Sequence, residues 1–224
     1  MPIRKTPLVN GQIYHVFNKS TGSIPIFTNS REFKRFIFGM SFYQNRNIPL
    51  RLSKFNRLSK EQRNKILSEM KSKQDFLVEL ISYCIMPNHF HYILKQLTND
   101  GIKEFIRLTS NSYSHFYNIR HDRSGSVFGG RFKAVLIEND EQLLHVVRYI
   151  HLNPFSTYII KDRNELERYQ YSSFLEYIGR STSNLCQKDI ILNNFKARDK
   201  YKEFVLNHAD YQRTIERIKH LSID

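Results

Sequence analysis

The triplet His89-Phe90-His91 is the part of the chain best equipped for chemistry. The segment 89–97, HFHYILKQL, is rich in aromatic and β-branched residues and reads as a strand, so its side chains alternate between two faces. His89 and His91 then project from one face about 7 Å apart, two rises of roughly 3.3 Å each. Two imidazoles so placed can converge on one divalent ion. Phe90 would anchor the strand in the core from behind. The same pattern fits two hydrogen-bonded histidines on a half-buried sheet. No HExxH segment and no third His or Cys at close spacing completes a zinc hydrolase site.

A second polar set lies in 140–153, which the spacing predicts to be a helix opened by Asp140 and Glu141 and stopped by Pro154. His145, Tyr149 and Asn153 recur at every fourth residue and form one stripe, while Leu143, Leu144, Val146, Val147, Ile150 and Leu152 supply the apolar surface. Laid across the histidine face, Asn153 could offer an amide oxygen as a third ligand, with the Tyr149 phenol close by. Tyrosine on a helix more often packs, and Asn before Pro more often caps or turns.

These residues need a scaffold. Residues 11–18 alternate as a strand, with Ile13, His15 and Phe17 on one face and Tyr14 and Val16 on the other. A helix over 30–44 follows, capped by Asn29 or Ser30. Residues 75–86 and 89–97 form two strands joined by Pro87-Asn88, a connection short enough for an antiparallel hairpin. A helix spans 101–119, a strand 131–138, then the 140–153 helix. Strand–helix–strand–strand–helix–strand is the order of a ferredoxin-like split βαβ unit, an α+β class with an antiparallel sheet and helices packed on it. Beyond it lies a helical C-terminal extension, with helices over 187–207 and 209–221. The expected division is a main domain over 1–180 and the extension over 181–224.

The chain has 224 residues, 35 Lys+Arg, 21 Asp+Glu and a formal charge of +14. Residues 1–154 carry 23 basic and 11 acidic side chains, a net +12, and the remainder only +2. The densest excess, nine basic against two acidic residues, lies at 46–73, which reads as an inserted or mobile basic element whose second half begins with a Ser59–Gln62 capping box. Interleaved with aromatics, this charge suits nucleic acid. With 40% hydrophobic residues the chain can fold around a core, and no apolar run is long enough to span a membrane. Cys84 and Cys186 make no disulfide framework, and Cys84 is expected buried and inert. The N-terminus lacks a signal peptide's apolar stretch, and a cytoplasmic home is expected.

PNHFHYIL (87–94), followed by the lone tyrosine of RYIHLNP (148–154), resembles the HUH single-tyrosine transposases of the insertion-sequence type, especially the REP-associated tyrosine transposases. YHVFNK (14–19), RSGSVFGGRFKAVLI (123–137) and YSSFLEY (171–177) extend the likeness over roughly residues 10–177. GGRFK departs from it, since many relatives carry an acidic residue before the Gly-Arg. The resemblance implies a metal-dependent endonuclease and strand transferase acting on hairpin-bearing single-stranded DNA through a 5′-phosphotyrosine, with transposition or chromosomal repeat processing as its role. Residue by residue, it makes His89, His91 and Asn153 metal ligands and Tyr149 the nucleophile. Mg²⁺ or Mn²⁺ is the implied metal, although imidazoles also accept Zn²⁺ or Co²⁺. DNA contacts are expected from Lys19, Arg120, Arg123, Arg131, Lys133 and Arg148, and the protein is expected to act as a monomer or homodimer. Two other readings use the same residues: a domesticated, non-cleaving binder of structured DNA or RNA, and a hydrolase acting through water without Tyr149.

Overall fold

The protein is described here by a computed structural model covering residues 7–221, with side chains to residue 216. Strand β1 (Ile13–Lys19) leads to α1 (Ser30–Tyr43), two helices of the basic stretch, α2 (Leu52–Phe55) and α3 (Lys60–Lys73), then the hairpin β2 (Val78–Met86) and β3 (His89–Gln96). Helix α4 (Gly101–Arg120), strand β4 (Lys133–Leu136) and helix α5 (Asp140–Ser156) complete the core unit. The sheet order is β2-β3-β1-β4 and every pairing is antiparallel, the ferredoxin-like arrangement the element order predicts.

Alternation sorts the sheet's two faces. Tyr14, Val16, Phe90 and Tyr92 are buried beneath α1 and α4, where Phe36 meets Phe90 at 5.5 Å and Phe105 meets Tyr92 at 6.0 Å between ring centroids. Asn29 caps α1 by accepting from the Glu32 backbone N–H. Gly101 opens α4 so close to the Leu77 carbonyl that a Cβ there would collide with it. The opposite face carries His15 and His91, and α5 crosses it.

One irregularity in β2 sets what α5 meets. Leu80 pairs with Leu94, but Ser82 pairs with Ile93, so Ile81 is an extra residue in the ladder. Such a bulge moves subsequent side chains to the other face. Ser82 and Cys84 thereby turn toward α5, and Ser82 Oγ lies 3.1 Å from His151 Nε2.

Several elements differ from the sequence-based expectation. Helix α5 does not stop at Pro154 but runs through it to Ser156. Proline removes only one N–H close to the helix end, and the Ile159 and Ile160 N–H groups bond back to its carbonyl. The single helix expected over 187–207 is two, α7 (Asp189–Leu192) and α8 (Arg198–Leu206), because Asn194 folds its amide back onto the Ile190 and Ile191 carbonyls. Strand β4 is confined to four residues. The 46–73 stretch is less loose than its charge suggests: Leu52, Phe55 and Met70 are buried in the core.

The segment after α5 leads to the C-terminal helices. It holds a 3₁₀ turn (Arg163–Arg168) and α6 (Phe174–Tyr177), preceded by an isolated bridge from Ser172 to Cys84 at the β2 edge. Cys186, Ile191, Tyr201 and Val205 join the same hydrophobic core as the sheet, and α9 (Ala209–Leu221) packs along α5. Among the described residues no helix is long and apolar enough to cross a membrane.

Candidate nuclease centre

His89 and His91 stand on the α5 side of β3, their ring centroids 5.1 Å apart. Tyr149 meets the His91 ring edge-on at 5.7 Å. Asn153, one turn further along α5, has its amide against both His89 and the Tyr149 phenol. Its Oδ1 is buried with no hydrogen-bond donor aimed at it among the described residues. The four residues picked out by spacing are therefore brought together, from two elements about 60 residues apart in sequence.

Each imidazole is oriented by a neighbour. Asn88 donates through Nδ2 to the Ser23 carbonyl at 2.8 Å, which turns its Oδ1 toward His89 Nδ1 at 2.6 Å. An amide oxygen only accepts, so Nδ1 of His89 carries the proton and Nε2 keeps its lone pair. His91 Nδ1 lies 2.9 Å from His15 Nε2, and the two rings stack at 5.1 Å. With His91 as donor in that pair, its Nε2 is likewise left bare. Neither Asn88 nor His15 was assigned a role from sequence, although His15 shares the period-two face of β1 with Phe17, and Asn88 directly precedes the histidine triplet.

The electrostatics favour neutral rings. Burial, then the nearby Lys19 charge, hold His89 down to about 4 against the opposing influence of Asn153 and Glu216. His91 is held well below 6.5 by burial and by His89, His15 and Lys19, and burial takes His15 to about 4. All three keep lone pairs at neutral pH. Burial, with the Glu216 charge, raises the Tyr149 phenol above its ordinary value, while the Asn153 amide opposes the rise.

Two neutral imidazole nitrogens and an orphaned amide oxygen are a donor set that fits a divalent ion with open positions for substrate. Among the described residues no group of three or more His, Cys, Asp and Glu side chains forms a metal site, so the amide is needed to complete one. His145, the first member of the stripe, lies at the rim, paired with Glu141 at 3.7 Å and accepting from Arg148 at 2.6 Å.

The expected DNA contacts separate into groups. Lys19 is exposed at the end of β1 opposite His89, and Lys133 on β4 reaches over Phe17 at 5.9 Å, so both border the histidine face. Arg131 is exposed in the preceding loop, where Gly130 adopts φ +56°. Arg120 is 3.6 Å from buried Glu32, and Arg123 lies over Tyr117 at 5.8 Å, both at the end of α4. Arg148 is a correction: it is buried, its guanidinium stacked on Phe204 of α8 at 4.6 Å, because the C-terminal helices cover that side of α5. Tyr14, Tyr92, Tyr113 and Tyr117 are all buried packing residues, and burial pushes the Cys84 thiol upward, as expected of an inert cysteine.

Residues 50–153, a little under half of the chain, match the family described as transposase IS200 like. That segment contains both histidines, Tyr149 and Asn153. Over this segment the chain is similar to the IS200-like transposases. The family match is narrower than the resemblance read over 10–177, yet it takes in most of the basic stretch. The fold is similar to a solved structure described as the REP-associated tyrosine transposase bound to a REP hairpin, with a TM-score of 0.55 and 14% identity over 83% of this chain and 90% of that one. No curated protein matches the sequence. The likeness to that family over residues 50–153 and the similarity of fold both support an HUH-type role in DNA processing.

Proposed function

We propose that this protein acts as a transposase that cuts and rejoins single-stranded DNA through a covalent bond to Tyr149. The observation that carries the reading is the convergence of Tyr149 and Asn153 from α5 on the rings of His89 and His91. The Tyr149 oxygen attacks the scissile phosphorus, forming a 5′-phosphotyrosine, and the bond to the 3′-oxygen breaks. The departing oxygen takes up a proton and becomes a 3′-OH, while the phenol gives its own proton to solvent. The phosphodiester's energy is kept in the new bond, so a later 3′-OH can reverse the step and join strands.

Tyr149 begins as a protonated phenol at neutral pH and needs activation. The Asn153 amide supplies part of it by favouring the phenolate. His89, His91 and the Asn153 oxygen would hold Mg²⁺ or Mn²⁺, which supplies Lewis-acid polarisation of the phosphate. His15 and Asn88 keep the rings presented. Lys19 and Lys133 steer the polyanion toward the face. A DNA hairpin is the partner this reading adopts, supported by the hairpin bound to the structural relative.

The test is a denaturing gel after incubation with labelled hairpin-bearing single strands and Mg²⁺ or Mn²⁺. A covalent adduct is expected, and Tyr149→Phe should reduce it at least about 10³-fold. Cleavage that persists in Tyr149→Phe would replace the nucleophile with water. Absence of any adduct with either metal would leave a DNA binder.

A further inference from the structure

On the far side of the sheet from the histidines, a cavity of about 530 Å³ opens between α1, α4 and the basic stretch. Arg51 and Arg57 from that stretch line it with Arg35 of α1 and His115 of α4. Arg51 and Arg57 are exposed, and neither has an ionic partner among the described residues. Arg35 is half-buried, donates to Ser112 Oγ at 3.2 Å and lies over Phe116 at 5.5 Å. Its contacts are neutral, so its charge is uncompensated. The fourth arginine, Arg107, is held by Glu104 at 2.6 Å and adds little net charge. Beside these cations the floor is apolar: Phe116 is half-buried, and Ile119, at 69% exposure, is the most exposed large hydrophobic residue among those described.

Unpaired arginines beside an accessible aromatic–aliphatic ledge suit a ligand that alternates phosphates with flat apolar faces. A purely structural role explains neither the unpaired cations nor the exposed ledge, since burying the ledge or pairing the cations would be favourable. We infer that this cavity is a second DNA site, in which Arg51 and Arg57 hold successive backbone phosphates of a single-stranded segment while a base rests on Phe116 and Ile119. The site rests on the DNA reading above but not on the Tyr149 chemistry. DNA held there would pass to the face opposite the nuclease centre, so its anchoring strand and its cut strand would be kept apart by the sheet.

The test measures binding of labelled single-stranded oligodeoxynucleotides of increasing length to the full chain over a range of salt. Arg51→Gln/Arg57→Gln is expected to weaken binding of the longer strands about tenfold and to lower the slope of log K against log salt by about 1.4, two phosphates at roughly 0.7 each. Arg51→Lys/Arg57→Lys should restore the slope, because the charge is kept. The melting temperature of both variants should match the parent, as both side chains are exposed. An unchanged slope in the Gln variant, with the parent binding DNA, would overturn the second site alone. Tight uptake of a mononucleotide by the parent, lost in the Gln variant while the oligonucleotide slope stays unchanged, would reassign the cavity to a small ligand. A parent that binds no oligonucleotide would sink the DNA reading itself.

Discussion

The ring nitrogens of His89 and His91 are sorted by their neighbours rather than by the ion they would hold. Asn88 accepts from Nδ1 of His89 and so leaves that ring's Nε2 with its lone pair, while His15 is the partner of His91 Nδ1, and His91 presents the same atom when it is the donor of that pair. His15 is the more informative of the two, since it is itself neutral and half-buried and comes from a different strand. His15→Ala is expected to lower Mn²⁺ affinity about 10–100-fold, the usual consequence of removing an outer-shell partner. Calorimetric titration would show it, and unchanged affinity would mean that β3 alone fixes the ring of His91.

At the scale of elements, the reaction depends on how firmly α5 is seated. Its anchor is His151, fully buried two residues from Tyr149, with Nε2 2.7 Å from Ser173 Oγ and Nδ1 2.6 Å from the Tyr201 hydroxyl. Ser173 in turn accepts from the Tyr83 N–H of β2 at 2.9 Å, and Tyr177 donates to the Ile81 carbonyl at 2.7 Å. The YSSFLEY segment is therefore a clamp that ties α5 to the bulged edge strand. His151→Ala would leave Ser82 and Tyr201 without this partner and open a void. A loss of about 2–4 kcal/mol is expected in denaturant unfolding. Adduct formation should also slow, although His151 touches no proposed substrate position, and an unaltered unfolding midpoint would contradict the clamp.

For the whole molecule, buried neutral histidines make stability depend on pH. His151 titrates at about 3 in the fold, and His15 and His89 at about 4, all lowered first by burial from a reference of 6.5. Below pH 6.5 the unfolded chain takes up protons that the fold refuses, so stability is full above that value and falls as pH drops toward 4. Between pH 7 and 5 the loss from His151 alone is about 2 kcal/mol. Glu32 acts in the same direction at lower pH. Burial raises it, but the Thr28 backbone N–H, His121 and the Thr28 and Asn29 side chains together hold it below 4.5, so its stabilisation disappears as it protonates. The metal-free protein should melt several degrees lower at pH 5 than at pH 7, and a flat profile would contradict the buried, neutral state of these rings.

Periodicity alone carried the two-residue alternation that aligns His89 with His91, the four-residue spacing that aligns Tyr149 with Asn153, the order of the core elements and the concentration of charge before residue 155. Each is a local property of the chain, fixed by the geometry of one strand, one helix or a simple count. Tertiary structure alone decided that His15 meets His91, that a bulge at Ile81 turns Ser82 to His151, and that Arg148 is buried under Phe204 rather than exposed. It also showed that Leu52 and Phe55 anchor the basic stretch while Arg51 and Arg57 stay in solvent. Those outcomes depend on cross-strand register and on which distant surface covers a side chain, and neither is encoded within a few residues of the position it governs.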